Sequence, residues 1–360
     1  MDTPWGRLAD LDATDRDLAF RILGHDKHQL LEGLVVENTF DQILQPLVEA
    51  QPPALQRLDI ETVVVDARRG TGSWLALVWA RRATAGLGRY LLALEKVARV
   101  HLVEFREGEF LATACAGGKR AGDPVPLHEL LGGISGRSPI FPQVDLKVRD
   151  ADRQRAAFWG YLADTYAGDR LWNEVVLSRL FINFGVQPFF RGVWNLDRIC
   201  LCGDRLWMLE AKHKYPFGRQ ALQFGINDGE LEMMRLASEA GIGTLYALIV
   251  KPKWSKDVGS MYLHGNLDMR RRAAVIGKVM DAGAIAATER TAGGRSPAHT
   301  SITGRDNLSY RSVPATGFSF LGAFADGPET LSESLLRLLQ GGKIPPVTDE
   351  MLRRLSVPTG

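Results

Sequence analysis

Cysteine is scarce in this sequence, and its scarcity excludes two kinds of stabilised fold. The 360 residues contain three cysteines, Cys115, Cys200 and Cys202. Three thiols cannot form a disulfide framework, and no Cys-x-x-Cys pair is present to bind zinc. The sequence also lacks a basic segment leading into an apolar run at its start, and no apolar run approaches the ~20 residues that cross a bilayer. We therefore expect a protein of the reducing cytoplasm that does not insert into a membrane.

A large excess of charge of either sign is missing as well. The formal net charge is +2, and Asp, Glu, Lys and Arg make up 24% of the residues. This balance excludes a protein coated in basic side chains, so any surface for nucleic acid must come from a local cluster.

Several catalytic motifs occur only as fragments. The Gly-Thr-Gly segment at residues 70–72 lacks the third glycine of a dinucleotide-binding loop. Lys119 follows two glycines but precedes Arg120, where a phosphate-binding loop has Ser or Thr. His128 has no second histidine at helical spacing, and no serine lies in a Gly-x-Ser-x-Gly turn. The sequence therefore excludes these mechanisms.

The composition supports a full globular core. Hydrophobic residues make up 45% of the sequence, and its length predicts two or three structural units. The loosest boundary is the Gly-, Ser- and Pro-rich stretch at residues 132–142. We predict an α+β domain at residues 1–135, a second unit at residues 150–262, and a helical and loop extension at residues 263–360.

Residues 150–262 carry local signals for a defined series of elements. Helical spacing predicts a helix at residues 169–184, and Asn227 or Asp228 caps another that runs through Ala240. Apolar and β-branched runs predict strands at residues 189–193, 196–202, 206–212 and 244–250. The Gly-Asp pair between the second and third of these strands predicts a hairpin. The predicted order is helix, three strands, helix, strand.

Three charged residues fall where these strands meet. Asp197 lies on one extended run, and Glu210 and Lys212 lie two positions apart on the next. Because side chains alternate across a strand, Glu210 and Lys212 share a face, and a hairpin brings Asp197 beside them. Two carboxylates beside an ammonium group form a hard oxygen site for Mg²⁺, with a cation left to hold the attacking water. The pattern predicts phosphodiester chemistry, although Glu-x-Lys is also typical of a solvated face or a cross-strand ion pair.

This arrangement resembles the PD-(D/E)XK nuclease superfamily, whose active site is an Asp followed by Glu-x-Lys on adjacent strands. The series of elements in residues 150–262 is similar to that family's core. The resemblance implies an α/β protein with a restriction-endonuclease-like core, in which helices flank a mixed sheet, and an additional amino-terminal α+β domain. It also implies Mg²⁺ as cofactor, with Mn²⁺ able to substitute, and Asp197, Glu210 and Lys212 as catalytic residues. The proline that usually precedes the first Asp is absent, since Leu196 stands there.

The resemblance implies further contacts. The family's first core helix often supplies an acidic metal ligand, and Glu174 holds the matching position. The alternative for Glu174 is a helix-start carboxylate favoured by the macrodipole. The family's second helix sometimes carries a glutamine or basic residue that contacts the scissile region, and Gln220 or Gln223 would serve.

Basic residues near the motif are candidates for nucleic-acid binding. Lys214 shares the face of Lys212 and is either a phosphate contact or a solvated strand end. Lys251, Lys253 and Lys256 surround Trp254, a pattern suited to phosphate contact with base stacking, or else to a solubilising surface loop.

The sequence thus predicts a metal-dependent nuclease, with DNA expected as substrate ahead of RNA and an endonuclease as the expected type. We expect a homodimer or a larger complex, and the family implies antiviral defence or mobile-element biology. Two other functions stay open. One is a nucleic-acid-binding subunit that has lost catalysis, and the other is a ligand sensor in the amino-terminal domain with the nuclease as its output. Ligand-stimulated cleavage would identify the second.

Overall fold

The computed structural model describes residues 1–67, 72–82, 84–141, 143–296 and 308–358. This part of the chain contains both strands and helices. The strands are β1 (Asp2–Thr3), β2 (Gly6–Arg7), β3 (Gln56–Arg57), β4 (Ile60–Asp66), β5 (Trp74–Ala80), β6 (Arg99–Arg106), β7 (Glu109–Ala116), β8 (Lys119–Arg120), β9 (Val125–Pro126), β10 (Val193–Leu196), β11 (Arg198–Cys202), β12 (Arg205–Lys214), β13 (Gln223–Asn227), β14 (Gly243–Val250), β15 (Ala274–Val279), β16 (Gly293–Arg295), β17 (Ser309–Pro314) and β18 (Ser319–Ala323).

The helices vary widely in length. They are α1 (Arg16–Leu23), α2 (His28–Glu49), α3 (Leu87–Leu94), α4 (Leu127–Ser135), α5 (Ala151–Ala157), α6 (Ala163–Thr165), α7 (Leu177–Arg179), α8 (Asp228–Glu239), α9 (Tyr262–Gly265), α10 (Leu267–Arg272), α11 (Ala282–Glu289), α12 (Gly327–Leu339) and α13 (Asp349–Leu355). Wider π-helical turns extend α5 to α7 into two longer helical stretches, residues 151–165 and 171–186. Among the described helices, none combines the length and the apolar character needed to span a membrane.

Two mixed sheets hold most of the strands. Sheet 1 has the order β18-β15-β14-β12-β11-β3, in which β12 and β14 run parallel and the other neighbours run antiparallel. Sheet 2 has the order β10-β4-β5-β6-β7-β8, with β9 also paired to β7 and with β5 and β6 parallel. The predicted α/β class, with mixed sheets flanked by helices, is confirmed.

Helices cover the faces of both sheets. Tyr90 of α3 and Met234 of α8 pack in one cluster with Met208 of β12 and with residues of sheet 2, so these helices lie between the sheets. α2 and α12 cover the other face of sheet 1, where Phe40 packs with Trp207. α1, α4 and the helical stretch 171–186 cover the other face of sheet 2. Each fully buried large apolar side chain contributes roughly 1.5–3 kcal/mol, which holds these layers together.

The chain passes between the two sheets at two neighbouring points. β3 of sheet 1 leads through Leu58 and Asp59 into β4 of sheet 2, and β10 of sheet 2 leads through Asp197 into β11 of sheet 1. A hydrogen bond links the two crossings: the N–H of Leu58 donates to the carbonyl of Ile199 at 2.9 Å. Residues 60–196 therefore leave sheet 1 and return to it at the same place.

The elements with strong local signals lie where they are predicted. The second helix is α8, preceded by Asn227, whose backbone N–H donates to Glu230 at 3.1 Å as in a capping box. The last predicted strand is β14. The Gly-Asp turn joins β11 and β12 as a hairpin, with Cys202 opposite Arg205.

Two elements predicted for the core around the motif belong to sheet 2 instead. The strand expected at residues 189–193 starts at Val193 as β10, and its Asn195 pairs with Val63 of β4. The helical stretch 171–186 also packs on sheet 2. Sheet 1 is covered by α2, which comes much earlier in the chain. The pattern of a strand predicts its faces but not its distant partner.

The carboxy-terminal part is more extensive than the predicted helical and loop extension. β15 and β18 from this part complete one side of sheet 1. In β15, residues 274–277 are all buried, and such a continuous apolar run cannot be told from a buried helix by periodicity alone. The predicted boundaries near residues 135–150 and 262 therefore do not separate the two sheets.

Candidate active site

Strand β12 presents its charged residues on the face that looks toward α8. Met208 on this face packs in the core between the sheets, and Glu210 follows two positions later. In the β11–β12 hairpin, Arg198 lies opposite Leu209, so Asp197 comes next to Glu210. The register thus brings together the two carboxylates that the sequence predicts to act jointly.

Lys212 lies between these two carboxylates. Its Nζ is 3.4 Å from Asp197 Oδ2 and makes a closer ion pair with Glu210 Oε1. The side chains of Asp197 and Glu210 are 11% and 9% exposed, and that of Lys212 is 30% exposed. The three residues predicted to be catalytic therefore form one partly buried cluster, at a point where the chain crosses between the sheets.

The cluster holds more negative charge than its lysine compensates. Burial, followed by the carboxylate of Asp197, raises the pKa of Glu210 to about 8, although Lys212 acts in the opposite direction. Burial alone would lower the pKa of Lys212, but the carboxylates around it, chiefly Asp197 and Glu210, raise that pKa well above its usual value. A second cation beside the carboxylates would lower the pKa of Glu210 toward its usual value.

The donor set fits a hard divalent cation. Mg²⁺ is usually held by one or two carboxylates, with water and substrate phosphate as its other ligands. Asp197 and Glu210 supply two carboxylates within ion-pairing distance of one point, the Nζ of Lys212. Within the described residues, no group of three or more His, Cys, Asp and Glu side chains is arranged to hold a metal ion. The fit therefore rests on two protein carboxylates.

A second carboxylate–lysine pair on the same face is fully satisfied. Glu230 accepts hydrogen bonds from the backbone N–H and side-chain amide of Asn227 at 3.1 and 3.2 Å. Lys214 Nζ lies 3.4 Å from Glu230 and donates to the carbonyl of Gly225 at 2.6 Å. Burial would raise the pKa of Glu230, but Lys214, then Lys212, lowers it below its usual value. Lys214 thus fastens β12 to β13 and α8, and its ammonium is not free for the predicted phosphate contact.

Helix α2 adds a carboxylate that the sequence analysis missed. Glu37 lines the same cavity as Asp197, and its Oε2 lies 3.7 Å from Nη2 of Arg198. Burial raises the pKa of Glu37, Arg198 opposes this increase, and the carboxylate of Asp197 adds to it. Arg198 also binds Asp41, one turn further along α2. Acidic residues at i and i+4 on a largely apolar helix were the available signal, but nothing local indicated their partner.

The cavity beside the cluster has a volume of about 380 Å³. Its wall includes Glu37, Asp197 and Arg198, together with residues from β3, β4 and the helical stretch 171–186. No protein-family model, curated protein or solved structure matches this chain. The chemistry of the cavity must therefore be derived from its own side chains.

Glu174, predicted as a third metal ligand, lines the same cavity but is already bound. Arg170, four residues earlier, donates to both of its carboxylate oxygens at 2.9 and 3.0 Å. The longer contact of 3.7 Å between Arg198 and Glu37 leaves that carboxylate more available. Of these two carboxylates on the cavity wall, Glu37 therefore has the looser ion pair.

The two glutamines do not lie on the helix that follows the Glu-x-Lys strand. Gln220 is exposed in the turn before β13, and Gln223 begins β13 opposite Pro314. The resemblance implies such a contact from the second core helix, and that helix is α8, which begins at Asp228. The glutamines therefore do not hold the position that the resemblance implies.

The lysine-rich segment after β14 is only partly available to a ligand. Lys251 is buried, and its Nζ donates to the carbonyl of Val258 at 2.5 Å. Burial lowers the pKa of Lys251 to about 8. Trp254 packs against the core and has the guanidinium of Arg353 5.9 Å from its ring. Lys256 is exposed and Lys253 is half-buried, so these two lysines are the accessible part of the predicted nucleic-acid contact.

Proposed function

We propose that this protein is a Mg²⁺-dependent nuclease with a restriction-endonuclease-like core. The observation that carries the proposal is the convergence of Asp197 and Glu210 on Lys212, in which burial leaves the pKa of Glu210 raised to about 8. A structural ion pair on the same face, between Lys214 and Glu230, has the opposite effect and lowers the pKa of its carboxylate. Uncompensated carboxylates beside a cavity are typical of functional sites.

The order of elements around sheet 1 supports the same proposal. The superfamily core requires a helix, three strands, a helix and a strand, and α2, β3, β11, β12, α8 and β14 follow this order along the chain. β3, β11, β12 and β14 are neighbours in sheet 1, and β12 runs parallel to β14. In this assignment residues 60–196 are an insertion, and Glu37 lies on the first core helix. That helix often supplies an acidic metal ligand in the superfamily.

The roles of the side chains follow from their positions. Bound Mg²⁺ would polarise the phosphoryl group and lower the pKa of the attacking water. Asp197 and Glu210 would hold the ion, and Glu37 would add negative charge from α2. Lys212 would orient the water or neutralise charge on the phosphate, because its ammonium lies beside both carboxylates. The proposed substrate is nucleic acid, with DNA ahead of RNA.

A cleavage assay with the full chain tests this proposal. Supercoiled plasmid, linear duplex, single-stranded DNA and RNA are each incubated with Mg²⁺, Mn²⁺, Ca²⁺ or excess chelator. We expect cleavage of at least one substrate with Mg²⁺ or Mn²⁺, little with Ca²⁺, whose looser coordination misplaces the water, and none with chelator. Full activity in chelator would exclude the metal site. Binding without cleavage under every condition would favour the binding-subunit function.

Matched substitutions separate the two candidates for the additional acidic group. Glu37→Gln should raise the Mg²⁺ concentration for half-maximal cleavage by about 10- to 100-fold, as expected when a group that supports a metal site is lost. Glu174→Gln should change it by less than about threefold, because Glu174 is engaged in a partly exposed pair with Arg170. Metal titrations of the cleavage rate measure both values, with melting curves to control for folding. The reverse order of effects would return the ligand role to Glu174.

A further inference from the structure

The cavity beside Asp197 is lined by several arginines, and one of them has no carboxylate partner. Six arginines line it. Five of them form ion pairs with carboxylates, namely Arg57, Arg81, Arg82, Arg170 and Arg198. The sixth is Arg179, and in the part of the chain that the structure describes no carboxylate lies within ion-pairing distance of it. The wall therefore contains one guanidinium group with no counter-charge in contact.

The unpaired guanidinium of Arg179 is partly removed from water. Its Nε is buried and has no hydrogen-bond partner, and the residue is half-buried overall. Buried polar groups are nearly always hydrogen-bonded, and an unpaired buried charge is especially costly. The unpaired guanidinium therefore points to an anionic ligand that accepts its hydrogen bonds.

The chemistry of the unpaired group selects the class of ligand. A guanidinium is planar and donates in a fork that matches the oxygens of phosphate or carboxylate. Arg179 shares its cavity with Asp197 and Glu37, and its positive charge acts on Glu37 to lower the pKa that burial raises. An anion at Arg179 would thus lie in the same cavity as the carboxylates of the proposed metal site.

We propose that Arg179 binds a phosphate group of the nucleic-acid backbone in this cavity and positions the strand at Asp197. This inference rests on the proposed function. The stretch 171–186 that carries Arg179 belongs to residues 60–196, so the segment that leaves sheet 1 would supply the substrate-binding cation. The carboxylates would come from Asp197, just before β11, and from Glu210 in β12. Neither half of the site would be complete without the other.

Substrate affinity measured without cleavage tests the role of Arg179. The variants Arg179→Gln and Arg179→Lys are made in the Asp197→Asn chain, and their affinity for a fluorescein-labelled short DNA duplex is measured by anisotropy at several salt concentrations. Arg179→Gln should weaken binding by about 10- to 100-fold, the range for a charge-assisted hydrogen bond, and reduce the slope of log affinity against log salt by about one. Arg179→Lys should recover the slope, because it keeps the charge, but only part of the affinity.

Arg170→Gln is the matched control, because it removes the same charge from the same cavity wall. Arg170 is bound to Glu174 and 55% exposed, so its loss should change the affinity by less than about threefold. Melting curves control for folding, and Arg179→Gln should fold normally because it deprives no carboxylate of a partner. Equal affinity and equal salt slope for the Arg179 and Arg170 variants would overturn the inference, as would a wild-type chain that does not bind the duplex.

A cleavage assay of the wild-type chain on the same duplex and on the other substrates separates this inference from the proposed function. Loss of affinity in Arg179→Gln together with wild-type cleavage supports both. Loss of affinity without wild-type cleavage of any substrate supports the phosphate site and overturns the nuclease. Wild-type cleavage with unchanged affinity in Arg179→Gln overturns the phosphate site alone.

Discussion

Asp197→Asn should lower the rate of nucleic-acid cleavage by about a thousandfold or more. The substitution keeps the size of the side chain and removes one of the two carboxylates beside Lys212. Loss of the metal-held charge removes several kcal/mol of transition-state stabilisation, and ~4 kcal/mol corresponds to a thousandfold in rate. Substrate binding should survive, and in metal-free buffer it should tighten, because a carboxylate that faces a phosphate repels it. Cleavage and gel-shift assays on one preparation measure both quantities.

Asp204→Asn provides the control for this prediction. Asp204 lies in the turn of the same hairpin, and its side chain is 99% exposed. The control variant should cleave at the wild-type rate, and circular dichroism should show that both variants are folded. If a folded Asp197→Asn protein cleaves as fast as the wild type, Asp197 has no role in catalysis. The function of a nucleic-acid-binding subunit would then be better supported than that of a nuclease.

Glu210→Gln should abolish cleavage and also make the metal-free protein more stable. Burial and the carboxylate of Asp197 raise the pKa of Glu210 from 4.5 to about 8, so the folded protein binds this proton more tightly than the unfolded chain does. The free energy of unfolding of the wild type therefore falls as the pH rises from about 4.5 to about 8, and the substitution removes that loss. At pH 7 the gain is at most on the order of 3 kcal/mol, which raises Tm by a few degrees.

Mg²⁺ should reduce the difference in stability between Glu210→Gln and the wild type, because it stabilises only the protein that binds it. At about a hundred times its Kd, a ligand stabilises the folded state by about 2.7 kcal/mol. The wild type should gain this stability, and Glu210→Gln should not. Calorimetric melting curves in chelator and in Mg²⁺, between about pH 5 and pH 8.5, measure the pH and metal effects together.

Glu230→Gln is the matched control for the stability prediction, since it changes a second buried carboxylate on the same side of sheet 1. Lys214, Lys212 and the N–H of Asn227 hold the pKa of Glu230 below its usual value against the effect of burial. Its loss should therefore lower Tm with or without Mg²⁺. An equal Mg²⁺-induced shift of Tm in Glu210→Gln and in the wild type would contradict the role of Glu210 as a metal ligand.

The parts of the site that the sequence predicts lie within short segments of the chain. The two-residue period of a strand places Glu210 and Lys212 on one face, and the Gly-Asp turn of the hairpin brings Asp197 alongside. The start of α8 is likewise predicted by Asn227 and Glu230, whose capping interactions span three residues. Because these signals are local, periodicity and turn chemistry are sufficient to find them.

The parts that the sequence does not predict depend on contacts between distant segments. Glu37 lines the same cavity as Asp197 because α2 packs on sheet 1, and no local pattern encodes that proximity. β10 has the composition of a core strand, but its partner is β4 of sheet 2. The charge of Lys251 suggests exposure, yet its ammonium donates to the carbonyl of Val258 inside the protein. Tertiary packing decides each of these positions.

Binding of Mn²⁺ tests most directly whether Asp197 and Glu210 form a divalent-cation site. Electron paramagnetic resonance of free Mn²⁺ counts the ions bound by the wild type, by the Asp197→Asn/Glu210→Gln double variant and by Asp204→Asn. We predict that the wild type and Asp204→Asn bind Mn²⁺ with equal affinity, that Mg²⁺ displaces it, and that the double variant binds none at this site. Equal Mn²⁺ binding by the wild type and the folded double variant would contradict the proposed metal site.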